Sequence, residues 1–484
     1  MSRRRRARTP LAGRLARWLD TRVGAASFAR KLLDKVFPDH WSFLISEVAL
    51  WCFVILLVTG TWLTFFFDPS DAVTTYQGRF EPLRGVEMSK AYESSLRLSF
   101  DVRAGLVMRQ MHHWAALVFA AATVAHLART FFTGAFRKPR EINWVLGVVM
   151  LLLILVEGFV GYSLLDDQLS GTGLRIAYNI ALSVPVAGTW IASLFFGGEF
   201  PGGGTISRLY GLHILLLPAL LAALIGLHLA LVFRQKHTQF PGPGRREDNV
   251  VGERIWPTYV MKVGALFFIT AGLLAGLGGL AQINPVWYYG PYRSADVSAA
   301  SQPDWYLGWT DGALRLMPSL EIRAFGYEIP NPFFPAVLLP GLTFALLALW
   351  PWLEARFSGD REAHHLLDRP RDRPLRTAFG VATFAFYVVL FFGGASDVLA
   401  LTFDLSVNSV FLTLQVLALV LPPVAGFVAY RLCKELAAAE PAGRRGAGRP
   451  APAAPSSGEG HRREIAPEDA PEHDPSTTAG VPRR

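Results

Sequence analysis

The sequence predicts an all-α polytopic membrane protein with eight transmembrane helices. Three observations carry that reading. Hydrophobic residues make up 51% of the 484-residue chain and charged residues only 18%. Apolar runs recur that reach or approach ~20 residues, the length of helix that crosses a hydrocarbon core of about 30 Å. Lysine and arginine gather between alternate runs, as they do in loops held on the cytoplasmic side.

Residues 1–43 open with MSRRRRAR, followed by LAGRLARWLDTRVGAASFARKLLDKVF, in which apolar and basic residues recur at helical spacing. This reads as a basic amphipathic helix on the cytoplasmic membrane surface. No secretory apolar core or cleavage site is seen, so the N-terminus is expected inside. A net charge of +9 would suit a nucleic-acid binder. The basic residues sit at the termini and in alternate loops, however, where topology explains them without a nucleic-acid partner.

The spans are expected at about 44–66, 112–133, 144–164, 209–233, 259–281, 333–352, 376–394 and 408–431. Arg137, Lys138 and Arg140 lie between the second and third. Arg234, Lys236, Arg245, Arg246 and Arg254 lie between the fourth and fifth. Arg356, Arg361, Arg369, Arg371, Arg373 and Arg376 lie between the sixth and seventh. The third-to-fourth connection has only Arg175 before Arg208, and the last connection has no basic residue. Loop 67–111 mixes arginines with acids and is the exception. An even number of spans puts both termini in the cytoplasm. Residues 437–484, rich in Pro, Ala, Gly, Arg and Glu without apolar period, are expected to be a disordered cytoplasmic tail. The chain thus divides into a basic N-terminus (1–43), four spans with their outer loops (44–258), four further spans (259–436) and the tail (437–484).

The second span carries His112 and His126, 126 − 112 = 14 residues apart. That separation returns to within about 40° of the same helix face and rises about 21 Å. The fourth carries His213 and His228, 228 − 213 = 15 apart, which return within about 60°. The topology places His112 and His213 near the outer surface and His126 and His228 near the inner one. Two helices that each show two imidazoles on one face make two bis-imidazole sites stacked across the membrane. Two b-type haems need that arrangement. The first four spans are therefore read as a haem-binding four-helix bundle. The two cysteines, Cys52 and Cys433, lie far apart and there is no C-x-x-C-H, so both haem b groups must be held non-covalently. Arg109, Arg129 and Arg208 flank the ligands and are candidate partners for anionic haem propionates. His113, about 100° round the helix, rivals His112. Gly60, Gly147, Gly161 and Gly226 suit close packing of helices or haem faces.

These features resemble cytochrome b, the core subunit of the quinol-oxidising cytochrome bc complexes. The resemblance rests on R-x-M-H at 109–112, H-L-A-R at 126–129, GYSLLDDQLSGTG at 161–173, T-I-S-R at 205–208 and P-D-W-Y at 303–306, which matches the family's P-E-W-Y. HHWAAL at 112–117, EGFVGYSL at 157–164, QKHTQFPGPG at 235–244 and the inserted loop 67–105 resemble the actinobacterial branch. The resemblance implies a quinol–cytochrome c reductase subunit in the bacterial cell membrane. Menaquinol would be oxidised at the outer face and quinone reduced at the inner face, in a Q-cycle that builds proton motive force. His112 and His213 would ligate the low-potential haem iron, and His126 and His228 the high-potential one. The implied partners are a Rieske iron–sulfur subunit, a dihaem cytochrome c subunit, a haem–copper cytochrome c oxidase in a supercomplex, membrane lipids, and a second complex to make a dimer.

Residue by residue, Asp304 takes the place of the family's glutamate and is the candidate base for quinol, one methylene shorter. Tyr306 and Tyr162 are candidate pocket residues, and Gly173 matches the glycine that leaves the quinol room. His112 keeps the family's position after R-x-M. Glu157, ionisable and inside the third span, is expected to help protons leave. Leu165-Asp166-Asp167 departs from the family, which has a proline after G-Y-x-L, so a different loop backbone is expected. At the inner face the candidates are Lys262, His237 and Arg234. Asp248 or Glu253 would replace the acid that follows the lysine elsewhere in the family, where this chain has Val263. A histidine found elsewhere five residues after the last ligand is Phe233 here. His364, His365, His461 and His473 are expected in solvent. Two other readings are open: the dihaem anchor of a dehydrogenase, which should lack PDWY and the last three spans, and a proton-coupled secondary transporter, which should bind no haem.

Overall fold

The structure, a computed structural model, describes residues 11–200, 202–296, 302–324, 326–439 and 463–466. Among them are eight helices long and apolar enough to cross a membrane: Trp41–Leu63, Gly105–Thr133, Glu141–Ser163, Thr205–Gln235, Ile255–Leu280, Phe334–Ser358, Pro374–Gly394 and Val407–Ala439. All eight expected spans are present. Most are longer than their apolar runs, because the helix continues into polar flanks such as Arg109 and Gln110, where backbone bonds persist beyond the hydrocarbon.

The first span packs on the second and the third on the fourth, and the fifth lies against the first and second. The space between the two pairs is a cavity with an apolar majority lining. The sixth span packs on the third, and the seventh pairs with the eighth. A short helix, Gly308–Leu316, rides on the seventh span. A Cβ on Gly312 would stand 1.6 Å from the Leu390 carbonyl oxygen, so only glycine permits that approach. Between the sixth and seventh spans, Arg376 is buried, with Nε 3.0 and 2.9 Å from the two Glu354 carboxylate oxygens and Nη1 2.8 Å from Asp368.

The fourth span contains a π-helical turn, Leu212–Leu216, just before Pro218. Proline has no N–H to donate back one turn, and the widened turn absorbs one extra residue. The 15-residue histidine spacing thereby returns to the face that a 14-residue spacing reaches in the second span.

Loop 67–111 folds into an antiparallel hairpin, Val73–Thr75 with Glu87–Ser89, and a helix, Lys90–Phe100. The stretch expected to form one amphipathic helix forms two, Leu11–Val23 and Ala25–Leu33, broken at Gly24 in a left-handed conformation, with Leu11, Leu15, Trp18 and Phe28 exposed beside their arginines. The tail differs from expectation in one stretch. Arg463–Ile465 forms a strand parallel to Asn249–Val251, anchored by Glu464, which accepts from the Val36 N–H at 3.0 Å and pairs with Lys236 at 3.3 Å. The rest of the expected disordered segment beyond Ala439, with His461 and His473, lies outside the described residues. His364 and His365 are not free in solvent: His364 Nε2 lies 2.9 Å from Asp360, and Arg140 lies 3.0 Å from His365 Nδ1. Their loop folds back on the end of the second span, where the Asp368 N–H donates to the Thr133 carbonyl at 2.9 Å, and on Gln239, whose N–H donates to the His365 carbonyl at 3.1 Å.

Candidate functional site

His112 and His213 face one another across the cavity, ring centroids 6.1 Å apart and planes at 77°. His126 and His228 repeat this with 6.4 Å and 77°. Two imidazoles gripping one metal ion from opposite sides, with metal–nitrogen bonds of about 2 Å, have centroids about 6 Å apart. The His112 ring is oriented from behind by a hydrogen bond, and the His213 ring has a carboxylate behind it. Thr59 donates its hydroxyl hydrogen to the Ile55 carbonyl at 2.7 Å, so its oxygen accepts from His112 Nδ1 at 2.9 Å. His213 Nδ1 lies 3.0 Å from Glu157 Oε1. In both residues Nε2 is left to face the partner ring. Gly60 and Gly161 give the rings room: a Cβ would stand 3.1 Å from His112 Cε1 and 2.6 Å from His213 Cε1. Gly147 and Gly226 crowd no histidine.

The arginines complete the fit to haem. Arg109 and Arg129 each keep Nε and Nη2 buried without a hydrogen-bond partner among the described residues. Buried guanidinium groups without an acceptor are costly, and an anionic propionate supplies one. Arg129 also lies over the Phe43 ring at 4.2 Å. Arg208 does not follow: it is exposed, beside Gly197, and outside the cavity lining.

The PDWY segment sits against the His112–His213 pair. Asp304 is buried and its two carboxylate oxygens each lie 2.9 Å from His113 Nε2. His113 is thus occupied by Asp304, and His112 alone of the two faces His213. Tyr306 donates to Asp304 Oδ2 at 3.0 Å, and Asn284 donates to Oδ1 at 3.4 Å. Burial pushes the Tyr306 phenol well above its ordinary range, so it stays a donor. Asp304, Tyr306, Tyr162, Glu157, His113 and Arg109 all line the cavity that holds His112 and His213. A buried carboxylate held beside two imidazole sites can take a proton from a hydroxyl substrate.

The profile described as "Cytochrome b(N-terminal)/b6/petB" matches residues 117–291. The cytochrome bc1 complex cytochrome b subunit of Mycobacterium tuberculosis is 55% identical over 421 residues, 87% of this chain and 76% of that protein. The corresponding subunit of Corynebacterium diphtheriae is 51% identical, over 86% of this chain and 77% of that protein, and that of Streptomyces coelicolor 48%, over 89% and 79%. The chain belongs to the cytochrome b family. It is a multi-pass membrane protein and the cytochrome b component of a quinol–cytochrome c reductase, of the actinobacterial kind. A solved chain titled "Hyperthermophilic respiratory Complex III" shares the fold, with TM-score 0.62 and 19% identity over 86% of this chain and 100% of that one. The family assignment and the presence of the last three spans set aside the dehydrogenase anchor and the transporter.

In this cytochrome b, GYSLLDD takes a backbone that needs no proline. Asp166 adopts a left-handed conformation, φ 53°. Asp167 caps the helix Gln168–Leu182, accepting from the Ser170 N–H at 2.8 Å. Burial pushes both carboxyls up to about 6. Gly173 stands behind Tyr162, where a Cβ would be 3.2 Å from the hydroxyl.

The opposite face brings some candidates together and not others. His237 packs on Phe37 and Phe43, with centroids 4.3 and 5.8 Å away. Lys262 pairs with Asp39 at 3.0 Å. Arg234 is exposed, and exposed Asp248 pairs with Arg246 at 3.2 Å, so neither joins them. Glu253 lies in a strand paired with Val36–Phe37. Sequence reasoning missed Glu47, whose Oε1 accepts from Tyr259 at 2.7 Å. An acid one turn into an apolar helix was the available signal. It also missed Thr59, one of two threonines that flank Gly60.

Proposed function

We propose that this subunit oxidises menaquinol at the face bearing Asp304 and returns electrons to quinone at the face bearing His237. The second half of the reading is a Q-cycle that builds proton motive force, with the Asp304 face outside and both termini in the cytoplasm. The observation that carries it is the coincidence of two imidazole pairs at two depths with a buried carboxylate beside the outer pair. His112 with His213, and His126 with His228, would hold two haem b groups, with propionates on Arg109 and Arg129. When bound, the haems supply a two-step electron path across the membrane.

The protein's own groups do the proton chemistry. Asp304 accepts a quinol hydroxyl proton, while Tyr306, Asn284 and His113 fix its carboxylate against the cavity. Tyr162 closes the cavity wall beside it, and Glu157 lines the same space. At the other face, Lys262 with Asp39, His237, and Glu47 with Tyr259 are the groups available to orient quinone and deliver protons. The Rieske iron–sulfur subunit would take the first electron of each quinol. A dihaem cytochrome c subunit, a haem–copper oxidase and a second complex would complete the assembly in the bacterial cell membrane.

The test is menaquinol oxidation by the purified complex carrying Asp304→Asn. Loss of the base should lower the rate by about 10² to 10⁴-fold at unchanged haem content. A wild-type rate would remove Asp304 from the mechanism.

A further inference from the structure

The two outer imidazoles are held from behind by unlike partners. His112 Nδ1 donates to the neutral Thr59 hydroxyl at 2.9 Å. His213 Nδ1 faces a carboxylate, Glu157 Oε1 at 3.0 Å, with the side chains only 18% and 19% exposed. Neither His213 Nδ1 nor the second oxygen, Glu157 Oε2, has a hydrogen-bond partner among the described residues, so the 3.0 Å approach is a contact of charge and not an aligned hydrogen bond. Among the described residues no carboxylate pairs with His126 or His228, and Glu47 of the first span is engaged by Tyr259 at 2.7 Å. The second and fourth spans contain no acid, and between Glu141 and Glu157 the third span has none. Arg109 and Arg129 precede and follow their ligands by three residues each, so the arginines do not distinguish the two depths. Glu157 does.

We propose that Glu157 is an electrostatic tuning residue, its carboxylate 3.0 Å from His213 Nδ1 setting the outer haem at the lower of the two potentials. The inference rests on the two-haem reading. A carboxylate on the far nitrogen of a metal-bound imidazole raises that ligand's basicity. A buried negative charge near the iron favours the oxidised, more positive centre, and screening by salt is weak at that depth. Both effects act in one direction, and among the described residues no carboxylate pairs with His126 or His228 as Glu157 does with His213. Glu157 is thereby assigned to the haem ligand, and Asp304 is the group that meets the quinol proton.

The test is an equilibrium redox titration of the purified complex, with each haem followed optically and by electron paramagnetic resonance. Glu157→Gln keeps an acceptor oxygen and removes the charge. It should raise the outer midpoint by about a factor of ten in the reduction equilibrium, about 59 mV for one electron. The inner midpoint should stay in place. Glu157→Asp, which keeps the charge, should lie closer to wild type. An unchanged outer midpoint in Glu157→Gln, with both haems present, overturns the proposal. If Glu157→Gln loses the outer haem, Glu157→Asp decides: a near-wild-type midpoint supports tuning by charge, and a raised midpoint or a lost haem overturns it. A wild-type protein lacking the outer haem would instead defeat the two-haem reading itself.

Discussion

His113 Nε2 lies 2.9 Å from both carboxylate oxygens of Asp304, joining the second span to a loop 191 residues further on. The contact ties the residue next to His112, the proposed haem ligand, to Asp304, the proposed base of the quinol pocket. Gln110, fully buried one turn earlier, ties the same helix to Ile283 through two bonds of 2.8 Å. If His113 and Asp304 act as a unit, His113→Gln should slow quinol oxidation about tenfold with both haems retained. The double variant with Asp304→Asn should then be no slower than Asp304→Asn alone, because coupled residues are not additive. Multiplied losses would show that they act separately.

Gly161 is the tightest point behind an imidazole. Its Cβ would come within 2.6 Å of His213 Cε1, so Gly161→Ala must displace the ring. The expected outcome is weakened outer haem, with haem per chain falling from two toward one. Gly272→Ala is the control, since a Cβ there meets nothing within 4 Å. Equal haem content in both variants would mean that the His213 ring has slack.

Asp167 gives the outer loop a pH dependence. Its carboxyl is raised from 3.8 to about 6 by burial, partly opposed by the Ser170 bonds and Arg109. A raised folded-state value means that the folded loop binds the proton more tightly than the unfolded chain. The associated stability is fully present below about 3.8 and is lost as pH rises through about 6, at most about 3 kcal/mol. Thermal unfolding should therefore occur at a higher temperature at pH 5 than at pH 7.5. Asp167→Asn keeps the helix cap and should reduce that difference. An equal difference in the variant would assign the pH dependence to other groups.

The legible and illegible parts of this molecule divide along chain distance. Apolar length and helical period are local, so the eight spans and the four facing histidines could be read from the sequence. The π-helical turn before Pro218 could not, and it corrects the residual angle of the 15-residue spacing. Pairs such as Thr59–His112, Glu157–His213 and Glu47–Tyr259 join residues from different helices, and no local pattern encodes which faces meet. Arg208 is a candidate propionate partner by its place in the chain beside a ligand, but it is exposed and outside the cavity lining. Arg463–Ile465 was read as part of a disordered tail because three residues carry no period; its order comes from pairing with Asn249–Val251.

The central claim is two haems on four histidines, and the direct measurement is a reduced-minus-oxidised spectrum of the purified subunit with haem quantified and potential titrated. Two b haems per chain with separate midpoints are expected, and His213→Ala should remove the lower one while His228→Ala removes the higher. Well-folded protein with no haem, or loss of the same haem in both variants, would contradict the assignment.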